Sequence, residues 1–363
     1  MSKHFINFLS CATCHGFGTE TLFENIIQQN QQQKDHLDNG SPFFQIPTSA
    51  TSSYKDKAEE IINELLEKIP FHPQEKSMRW GFILSSTKAL SEDFVWTANN
   101  QDYDAFTPVT KFIQQKYPIE FHRAATVSNA CTSSHGAIEL AQKWLSRNWV
   151  DQVLVLGFDL VGPFTLKGFQ SLRALSEGKK IKAFDKNRDG LLLGDGAAIC
   201  ILSNDSWGEK LEINPVHTLC EGVSATRPNV DGDNLVTCYQ QSSQGESPDL
   251  VIAHGTGTYY NDLTESNAIT KYLGSKTAKV FASKWSIGHS LGASGLIDLC
   301  IAKESIQRNL IPTLPPTIDS DLAIKDYLAL NFEETHQVKK VLISSLGFGG
   351  MCSGLFVKKQ ETL

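Results

Sequence analysis

Short apolar runs and amphipathic segments alternate along most of this chain of 363 residues. WGFILSS, QVLVLGFDL, DLVIA and KVLISSLGF are apolar runs bounded by polar residues or glycine, a pattern typical of buried strands. KDKAEEIINELLEKI and DLTESNAITKYLG instead repeat their apolar residues at the spacing of one helix face. Strands that alternate with helices of this length predict an α/β fold.

Two parts of the chain resemble each other, which predicts a repeated unit. GAIELA, starting at Gly136, matches GLIDLC, starting at Gly295, at a displacement of 159 residues (295 minus 136). This displacement pairs Cys131 with Ser290, each at a predicted junction of strand and helix. We therefore expect two similar α/β halves whose strand ends meet at one central site. The expected halves are residues 1–205 and 206–363.

Composition narrows the class of protein. Hydrophobic residues make up 40 % and charged residues 20 % of the chain, which excludes disordered, collagen-like and coiled-coil proteins. No apolar run reaches the roughly 18–20 residues that span a bilayer, and Met1 to Ser10 lacks the features of an export signal. We therefore expect a cytoplasmic protein without membrane insertion. The net charge of -7 at pH 7 argues against a nucleic-acid partner.

Cys131 is the strongest candidate nucleophile. It follows the predicted strand FHRAATVSNA and opens a predicted helix, where unpaired N–H groups and partial positive charge favour a thiolate. The small residues of Ser128–Ala130 and Thr132–Ser134 on either side leave room for a substrate. The eight cysteines are spread along the chain without the compact spacing of a disulfide framework, so we expect most of them to be reduced and buried.

Two histidines occupy glycine-rich turns in the second half. His254 begins HGTGT directly after DLVIA, and His289 lies in GHSLGASG, shortly after Lys284. Turns of this kind at strand ends expose backbone and side chains to a ligand. We expect both histidines to share a site with Cys131. Because they lack a partner at metal-ligand spacing along the chain, we predict no metal site.

Several motifs together resemble one known family. SNACTSS, HGTGTYYND, SKWSIGHSLGASG and SSLGFGGMCSG are similar, in this order, to motifs of the elongating β-ketoacyl-acyl carrier protein synthases of the thiolase-fold superfamily. The resemblance covers about Val127 to Val357. It implies a thiolase-like α/β fold, with two similar halves packed as α-β-α-β-α layers.

The resemblance also implies roles for residues in these motifs. Cys131 would accept an acyl chain from an acyl carrier protein, and His254 and His289 would stabilise the enolate formed when a malonyl thioester loses carbon dioxide. The other implied roles are an oxyanion hole from the backbone N–H groups of Cys131 and Phe348, a supporting ion pair of Lys284 with Glu265, binding of the pantetheine amides by Thr256 and Thr258, and gating by Phe348.

The implied reaction is a decarboxylative Claisen condensation in fatty acid, polyketide or polyene biosynthesis. It needs no cofactor beyond the phosphopantetheine of the acyl carrier protein, and the enzyme is expected to be a homodimer or a heterodimer. Acyl carrier proteins are acidic, so docking is expected on local basic residues. The candidate docking residues are Arg173, Lys179, Lys180 and Lys182.

Two other functions stay open. The stretches Ser41–Glu120 and Glu221–Pro248 are shorter than is usual in the family, which leaves the length of the substrate and the partner open. The short N-terminal stretch is consistent with a non-catalytic or chain-length-determining subunit of a heterodimeric ketosynthase. A serine hydrolase or acyltransferase would use Ser290 of GHSLG, which matches the nucleophile elbow. The acid and base that follow Ser290 in the required order are Asp319 or Asp321 and His336.

Two further features have a plain structural interpretation. His135, four residues after Cys131, stands where the family commonly has an aliphatic residue. We expect it to pack or to line a tunnel, with a helical Cys–His pair as the alternative. CATCH, from Cys11 to His15, has the spacing of a haem attachment site, but we interpret it as a turn between strand and helix.

Overall fold

The structure is a computed structural model that describes residues 3–30, 35–36, 42–49, 53–70, 78–93, 104–116, 119–178, 180–275, 277–331 and 337–360. The strands are β1 His4–Thr13, β2 Gly16–Phe17, β3 Asp35–His36, β4 Pro42–Phe43, β5 Trp80–Ser85, β6 Phe121–Val127, β7 Gln152–Asp159, β8 Gly196–Ser203, β9 Leu211–Ile213, β10 His217–Cys220, β11 Leu250–Ile252, β12 Lys279–Phe281, β13 Lys340–Gly347 and β14 Met351–Lys359. The helices are α1 Thr19–Ile27, α2 Tyr54–Leu66, α3 Thr107–Lys116, α4 Ser133–Ser146, α5 Pro163–Ser171, α6 Asp233–Ser243, α7 Tyr259–Leu273, α8 Lys284–Ile287 and α9 Ser294–Arg308.

Two elements near the N-terminus differ from the prediction. β1 continues to Thr13, through most of the predicted CATCH turn, because its small residues pair with β8, as Cys11 does with Ala198. α1 ends at Ile27, before the predicted glutamine-rich continuation. Gln29 has a φ of 53°, in the left-handed region that ends a helix.

Two sets of strands repeat one pairing pattern. In the first set β5 pairs in parallel with β6 and β7, and β8 pairs antiparallel with β7 and β1. In the second set β11 pairs in parallel with β12 and β13, and β14 pairs antiparallel with β13 and β10. β9 pairs with both β1 and β14 and joins the sets into one sheet. The two similar halves are thus confirmed, and the boundary at residue 205 stays a prediction.

Helices separate and cover the two sets of strands. α4 packs on β5 and β7, α9 packs on β13 and β8, and the two helices contact each other. Every residue of α9 from Ser294 to Ile306 is buried, as expected for a helix enclosed on all sides. α2 buries only one apolar face, against the outer side of the first set, and α6 packs against β14 of the second. These layers agree with the predicted α-β-α-β-α order.

Equivalent turns precede the two central helices. Ala130 and Leu291 open short 3-10 turns with φ values of 49° and 51°, and α4 and α9 begin three residues later in each case. The structural displacement is therefore 161 residues (291 minus 130). The predicted displacement of 159 was wrong by two, because GAIELA and GLIDLC share residue types but occupy different positions in their helices.

The displacement of 161 changes the equivalent of Cys131. Its counterpart is Gly292, not Ser290. The carbonyl oxygens of both residues accept a serine hydroxyl: Ser345 Oγ of β13 donates to that of Cys131 (3.2 Å), and Ser85 Oγ of β5 donates to that of Gly292 (3.0 Å). The candidate nucleophile of the first half thus corresponds to a glycine in the second half.

Gly194 allows the backbone before β8 to approach the turn that carries His289. The N–H of Gly194 donates to the carbonyl of His289 (3.1 Å), and the N–H of His289 donates to the carbonyl of Leu192 (2.8 Å). A Cβ at Gly194 would overlap the carbonyl oxygen of Ile287. Since that oxygen belongs to the backbone, it cannot move without moving the turn.

We expect Gly194→Ala to lower the free energy of unfolding by about 1–3 kcal/mol, the usual cost of overpacking. Gly168→Ala is the matched control, because a Cβ at Gly168 in α5 meets nothing within 4 Å and alanine favours a helix by about 1 kcal/mol. Chemical denaturation followed by circular dichroism measures both. Equal stability of Gly194→Ala and the parent chain would contradict the close packing described here.

Candidate active site

Cys131 lies in a 3-10 turn between β6 and α4. Ala130 before it has a left-handed φ, a conformation that costs energy in a residue with a Cβ. Two hydrogen bonds hold the turn: the N–H of Asn129 donates to Ser133 Oγ (2.9 Å), and the N–H of Thr132 donates to the carbonyl of Asn129 (3.1 Å). Cys131 therefore lies at the kind of strand–helix junction that the sequence predicts, with only 7 % of its surface exposed.

His289 brings the second half of the chain to Cys131. Its Nε2 lies 3.0 Å from Cys131 Sγ, and its Nδ1 lies 3.1 Å from Ser294 Oγ, at the start of α9. Gly288 has a φ of 73°, and this left-handed residue turns the chain sharply between α8 and His289. Each ring nitrogen thus has a hydrogen-bonding neighbour, which fixes the orientation of the ring.

His254 completes the cluster. Its ring meets that of His289 edge to face, with centroids 5.0 Å apart and an interplanar angle of 86°. The loop of His254 is held by Glu265, whose carboxylate accepts the backbone N–H groups of His254 and Gly255, each at 2.7 Å. Ser344 Oγ donates to the same carboxylate (2.6 Å). Glu265 therefore ties α7 and β13 to the loop of His254.

The predicted ion pair of Lys284 with Glu265 is corrected by the structure. Lys284 Nζ lies 3.8 Å from an oxygen of Asp298, in a pair that is almost completely buried. Asp298 also accepts a hydrogen bond from Ser283 Oγ (2.6 Å). Lys284 still acts on Glu265 through space, because its positive charge is one of the influences that lower the pKa of that carboxyl, against a larger rise caused by burial.

Burial keeps the three reactive side chains uncharged. It raises the pKa of Cys131 to about 12, although Lys284 and the backbone N–H groups of Phe348 and Cys131 itself act in the opposite direction. Burial, together with the charge of Lys284, holds the pKa values of His254 and His289 well below the ordinary 6.5. At neutral pH the cluster is therefore a thiol beside two neutral imidazoles. Each imidazole can donate one hydrogen bond and accept another.

A cavity of about 470 Å³ connects the cluster with the surface. Cys131 and the two histidines line it, and so do Thr256 and Thr258, whose hydroxyl oxygens are 3.0 Å apart. The ring of Phe348 stacks against Phe169 with centroids 5.7 Å apart and also lines the cavity. The structure thus brings the implied nucleophile, histidines, pantetheine ligands and gate to a single cavity.

Comparison with known proteins follows the same division into halves. The family description "Beta-ketoacyl synthase, N-terminal domain" matches residues 123–206, and "Beta-ketoacyl synthase, C-terminal domain" matches residues 212–318. The chain belongs to the β-ketoacyl synthase family. Together the two matches contain the cluster of Cys131, His254 and His289.

Curated relatives of this family are moderately similar to the chain. The 3-oxoacyl-acyl-carrier-protein synthase 2 of Coxiella burnetii is 29 % identical over 248 residues, which are 62 % of this chain and 59 % of the relative. The tetracenomycin polyketide synthase ketoacyl synthase alpha subunit of Streptomyces glaucescens is 28 % identical over 335 residues, which are 82 % of this chain and 78 % of the relative. The matched part spans less than two thirds of the length of several of these relatives.

Solved ketosynthase structures share the fold. The ishigamide ketosynthase/chain length factor superposes with a TM-score of 0.85 at 20 % identity, covering 99 % of both chains. A type II polyketide synthase acyl-carrier protein in complex with its ketosynthase provides a second match, with a TM-score of 0.83 at 20 % identity, over 98 % of this chain and 99 % of that chain. The predicted thiolase-like fold is therefore confirmed.

The basic residues predicted for carrier docking are separated in the structure. Arg173 lines the cavity that contains Cys131, whereas Lys180 and Lys182 line a different cavity, of about 340 Å³, with Trp285 and Ile318. Lys179 lies outside the described residues.

Sequence reasoning missed two contacts between an arginine and a tyrosine ring at the cavity that contains Cys131. Arg227 lies over the ring of Tyr260, 4.7 Å from its centroid, and Arg188 lies over Tyr259 at 5.0 Å. All four residues line the cavity. The two adjacent tyrosines in HGTGTYYND could have been singled out from the sequence. The arginines could not, because they come from distant loops that meet the tyrosines only in the folded chain.

Asp262 is a second residue of this motif that was not singled out. Its carboxylate accepts the backbone N–H groups of Phe184 (2.7 Å) and Gly257 (3.2 Å) and a side-chain N–H of Asn261 (3.1 Å). Burial raises its pKa to about 7, against the lowering effect of these donors. Asp262 therefore attaches the loop of residues 182–190, KAFDKNRDG, to the loop of His254.

Among the described residues of the alternative hydrolase site, the serine and the two aspartates have other partners. Ser290 is buried, and its hydroxyl lies 3.1 Å from Ser294 Oγ. Asp319 and Asp321 instead form ion pairs with Lys186 and Arg188. His336 lies outside the described residues.

The CATCH segment also has a structural role. Cys14 Sγ donates to the carbonyl of Ser286 (3.6 Å), and His15 Nε2 lies 2.8 Å from Ser286 Oγ. Both residues are buried, and they fasten the end of β1 to α8, next to Lys284. These contacts favour a structural role of CATCH over haem attachment. None of the helices in the described part of the chain is long and apolar enough to cross a membrane.

His135 packs between the two central helices. Its Nδ1 lies 3.0 Å from Ser353 Oγ, and a Cβ on Gly295 would come within 2.7 Å of its ring. Its buried Nε2 has no hydrogen-bond partner among the described residues. These contacts favour the packing role over a pair with Cys131.

Burial, with a further contribution from Lys284, lowers the pKa of His135 to about 3.

The low pKa of His135 predicts a pH-dependent loss of stability. Below the ordinary pKa of about 6.5 the unfolded chain binds a proton at this residue and the folded chain does not, so acid favours unfolding. We expect His135→Leu to remove this effect, and the stability of the parent chain should fall relative to the variant by about 1 kcal/mol between pH 6 and pH 5. Denaturation at both pH values measures the difference.

His122→Leu serves as the control for that measurement, because it removes an exposed imidazole. Buried carboxyls such as Asp262 titrate equally in all three proteins and cancel in the comparison. Parallel stability curves for His135→Leu and the parent chain would show that His135 is not held neutral in the folded protein.

Proposed function

We propose that the chain is a β-ketoacyl-acyl carrier protein synthase, an acyltransferase that condenses a malonyl group with an acyl chain held on Cys131. The observation that carries this proposal is the cluster of Cys131, His254 and His289 at one cavity, with Cys131 Sγ 3.0 Å from His289 Nε2. A condensing enzyme must hold one acyl group covalently while the second arrives, and a buried thiol at the end of a cavity suits this requirement.

In the first step the sulfur of Cys131 attacks the carbonyl carbon of an acyl thioester. The new carbon–sulfur bond forms, the carbon–sulfur bond to pantetheine breaks, and the proton lost by Cys131 goes to the leaving pantetheine thiol. Backbone N–H groups of Cys131 and Phe348, which already lie close to Sγ, would stabilise the negative oxygen of the tetrahedral intermediate. Lys284 favours the transient thiolate through its charge.

In the second step a malonyl thioester loses its carboxyl group as carbon dioxide. The electron pair of the broken carbon–carbon bond forms an enolate, whose oxygen would accept hydrogen bonds from the neutral rings of His254 and His289. The enolate carbon then attacks the acyl carbonyl on Cys131, and the thiolate of Cys131 leaves. Donation by neutral rings agrees with the low pKa values of both histidines.

We infer that the substrates arrive on the phosphopantetheine of an acidic acyl carrier protein and that no further cofactor takes part. Arg173 and Arg227 line the cavity, beside the exposed side chains of Leu172 and Tyr260. Positive charge next to apolar surface suits an acidic partner. The curated relatives and solved neighbours whose names refer to acyl carrier protein support this inference.

We also propose that the chain acts in the cytoplasm as part of a dimer, with a second copy or with a second ketosynthase-like subunit. β6 ends the sheet, and most of its side chains are exposed or half exposed. Such a strand offers unpaired backbone groups to a partner chain. Fatty acid and polyketide or polyene biosynthesis are the pathways proposed for the product.

Acylation provides the test of the proposed nucleophile. We expect incubation with an acyl carrier thioester to add one acyl group to the protein at Cys131, as detected by mass spectrometry of the intact chain and its peptides. Cys131→Ala should abolish the label, and Ser290→Ala, the control that removes the nucleophile of the hydrolase alternative, should retain it. Label on Ser290 would overturn the proposal in favour of an acyltransferase of the hydrolase type.

A chain that stays unlabelled, alone and together with a second subunit, would also overturn the proposal. That result would favour the non-catalytic, chain-length-determining subunit of a heterodimeric ketosynthase. The presence of all three reactive side chains in one cavity argues for the catalytic role.

Charge reversal tests the proposed docking surface. We expect Arg227→Glu to raise the KM for the carrier-bound substrate by about tenfold with little change in kcat, because one favourable charge contact becomes repulsive. Lys182→Glu is the control, since Lys182 lines the separate cavity. Steady-state kinetics with purified acyl carrier protein measures both variants. A larger KM effect from Lys182→Glu would place docking at that second cavity instead.

A further inference from the structure

The cluster of Cys131, His254 and His289 also has the donor set of a metal site. Cys131 Sγ and one nitrogen of each ring all lie within 4.8 Å of one another, and the three side chains are buried. The sequence predicted no metal site, because the three residues are far apart along the chain. The fold brings them together, so the spacing argument does not apply to the folded protein.

The dimensions of the cluster suit a small divalent ion. Zn²⁺ binds thiolate sulfur at about 2.3 Å and imidazole nitrogen at about 2.0–2.1 Å, and tetrahedral angles then place the donor atoms roughly 3.3–3.6 Å apart. The present distance of 3.0 Å between Cys131 Sγ and His289 Nε2 and the 4.8 Å limit of the whole cluster bracket these values. Side-chain shifts of about 1 Å would complete three of the four bonds.

We propose that Cys131, His254 and His289 bind one Zn²⁺ ion, which occupies the site in place of substrate. Binding displaces the thiol proton of Cys131, which goes to solvent or buffer, and changes no oxidation state. The fourth position of the metal faces the cavity of about 470 Å³ and can take a water molecule. This proposal does not rest on the proposed condensation reaction.

The surroundings supply a second layer of support. The free ring nitrogen of His289, Nδ1, lies 3.1 Å from Ser294 Oγ, the kind of outer contact that orients a metal-bound histidine. The backbone of His254 is fixed by the carboxylate of Glu265. The ligands are therefore held in place before any ion arrives, which lowers the cost of forming the site.

Lys284 is the group that opposes a cation here. Its ammonium is close enough to influence both histidines and Cys131. The carboxylates of Asp298, 3.8 Å from Lys284 Nζ, and of Glu265 offset that charge when ionised. Together with the thiolate of Cys131 they balance the charges of Lys284 and Zn²⁺.

Cobalt provides a spectroscopic probe of the proposed site. We expect titration of the full chain with Co²⁺, in the presence of a phosphine reductant, to produce a thiolate-to-cobalt charge-transfer band and the visible bands of a tetrahedral ion. Both should reach an end point at one ion per chain, and Zn²⁺ should displace Co²⁺. We expect Cys131→Ser, His254→Ala and His289→Ala each to weaken binding at least about a hundredfold.

Cys220→Ala is the matched control, because Cys220 is exposed and lies outside the cluster. It should bind Co²⁺ like the parent chain. A cobalt band that survives in both histidine variants would show binding by thiol alone and would overturn the three-ligand site. Circular dichroism of each variant establishes that a lost band does not reflect a lost fold.

Protection from alkylation gives an independent measurement on the unmodified chain. We expect stoichiometric Zn²⁺ to slow the reaction of iodoacetamide with Cys131 at least about tenfold, to leave Cys220 unaffected, and to be reversed by a chelator. Peptide mass spectrometry separates the two cysteines. Unchanged alkylation of Cys131 in the presence of Zn²⁺ would overturn the proposal whether or not the chain condenses acyl groups.

Discussion

The loops of the site contain backbone N–H groups that no strand or helix satisfies, and buried carboxylates accept them. A buried N–H without a partner costs as much as a lost hydrogen bond, so these loops need acceptors wherever they leave the sheet. Glu265 and Asp262 serve the loop of His254. Asp159 accepts the N–H of Thr87 after β5 (3.0 Å) and the N–H of Gly292 in the turn before α9 (2.8 Å). The positions of the reactive side chains depend on these acceptors.

The carboxylates that hold the loops also shape the electrostatics of the site. They are buried, and burial favours their neutral forms, as it does for the thiol and the imidazoles. Lys284 is the buried positive charge that acts on Cys131, His254 and His289 alike. The charge of Lys284 counteracts desolvation at Cys131, whereas at the two histidines it acts with desolvation and favours the neutral rings. The site can thus stabilise negative charge that develops on a substrate.

The sequence was informative where chemistry and local structure coincide. Cys131 could be predicted from a strand followed by a helix, and His254 and His289 from glycine turns at strand ends, because each signal lies within a few neighbouring residues. The partner of Lys284 could not be predicted in this way. Whether Asp298 or Glu265 lies nearer depends on how α9 and α7 pack, and their packing is a property of the whole fold.

The repeat shows the same limit. Residue types placed Cys131 opposite Ser290, while backbone geometry places it opposite Gly292, since helices that share a composition need not share a starting point. The basic residues around the cavities could not be assigned to one surface from the sequence for a similar reason. Arg173 and Arg227 come from separate loops that meet only in the folded chain, and Lys180 and Lys182, neighbours of Arg173 in sequence, face another cavity.

β9 has a consequence for how a ligand can enter. This strand of three residues pairs with β1 on one side and with β14 on the other, so hydrogen bonds run without interruption from one half to the other. A hinge motion that separated the halves would break this ladder and expose the enclosed helix α9 to water. A ligand can therefore reach the cluster through the cavity without separation of the halves, and the rings of Phe169 and Phe348, which stack together and line the cavity, would widen it if they moved apart.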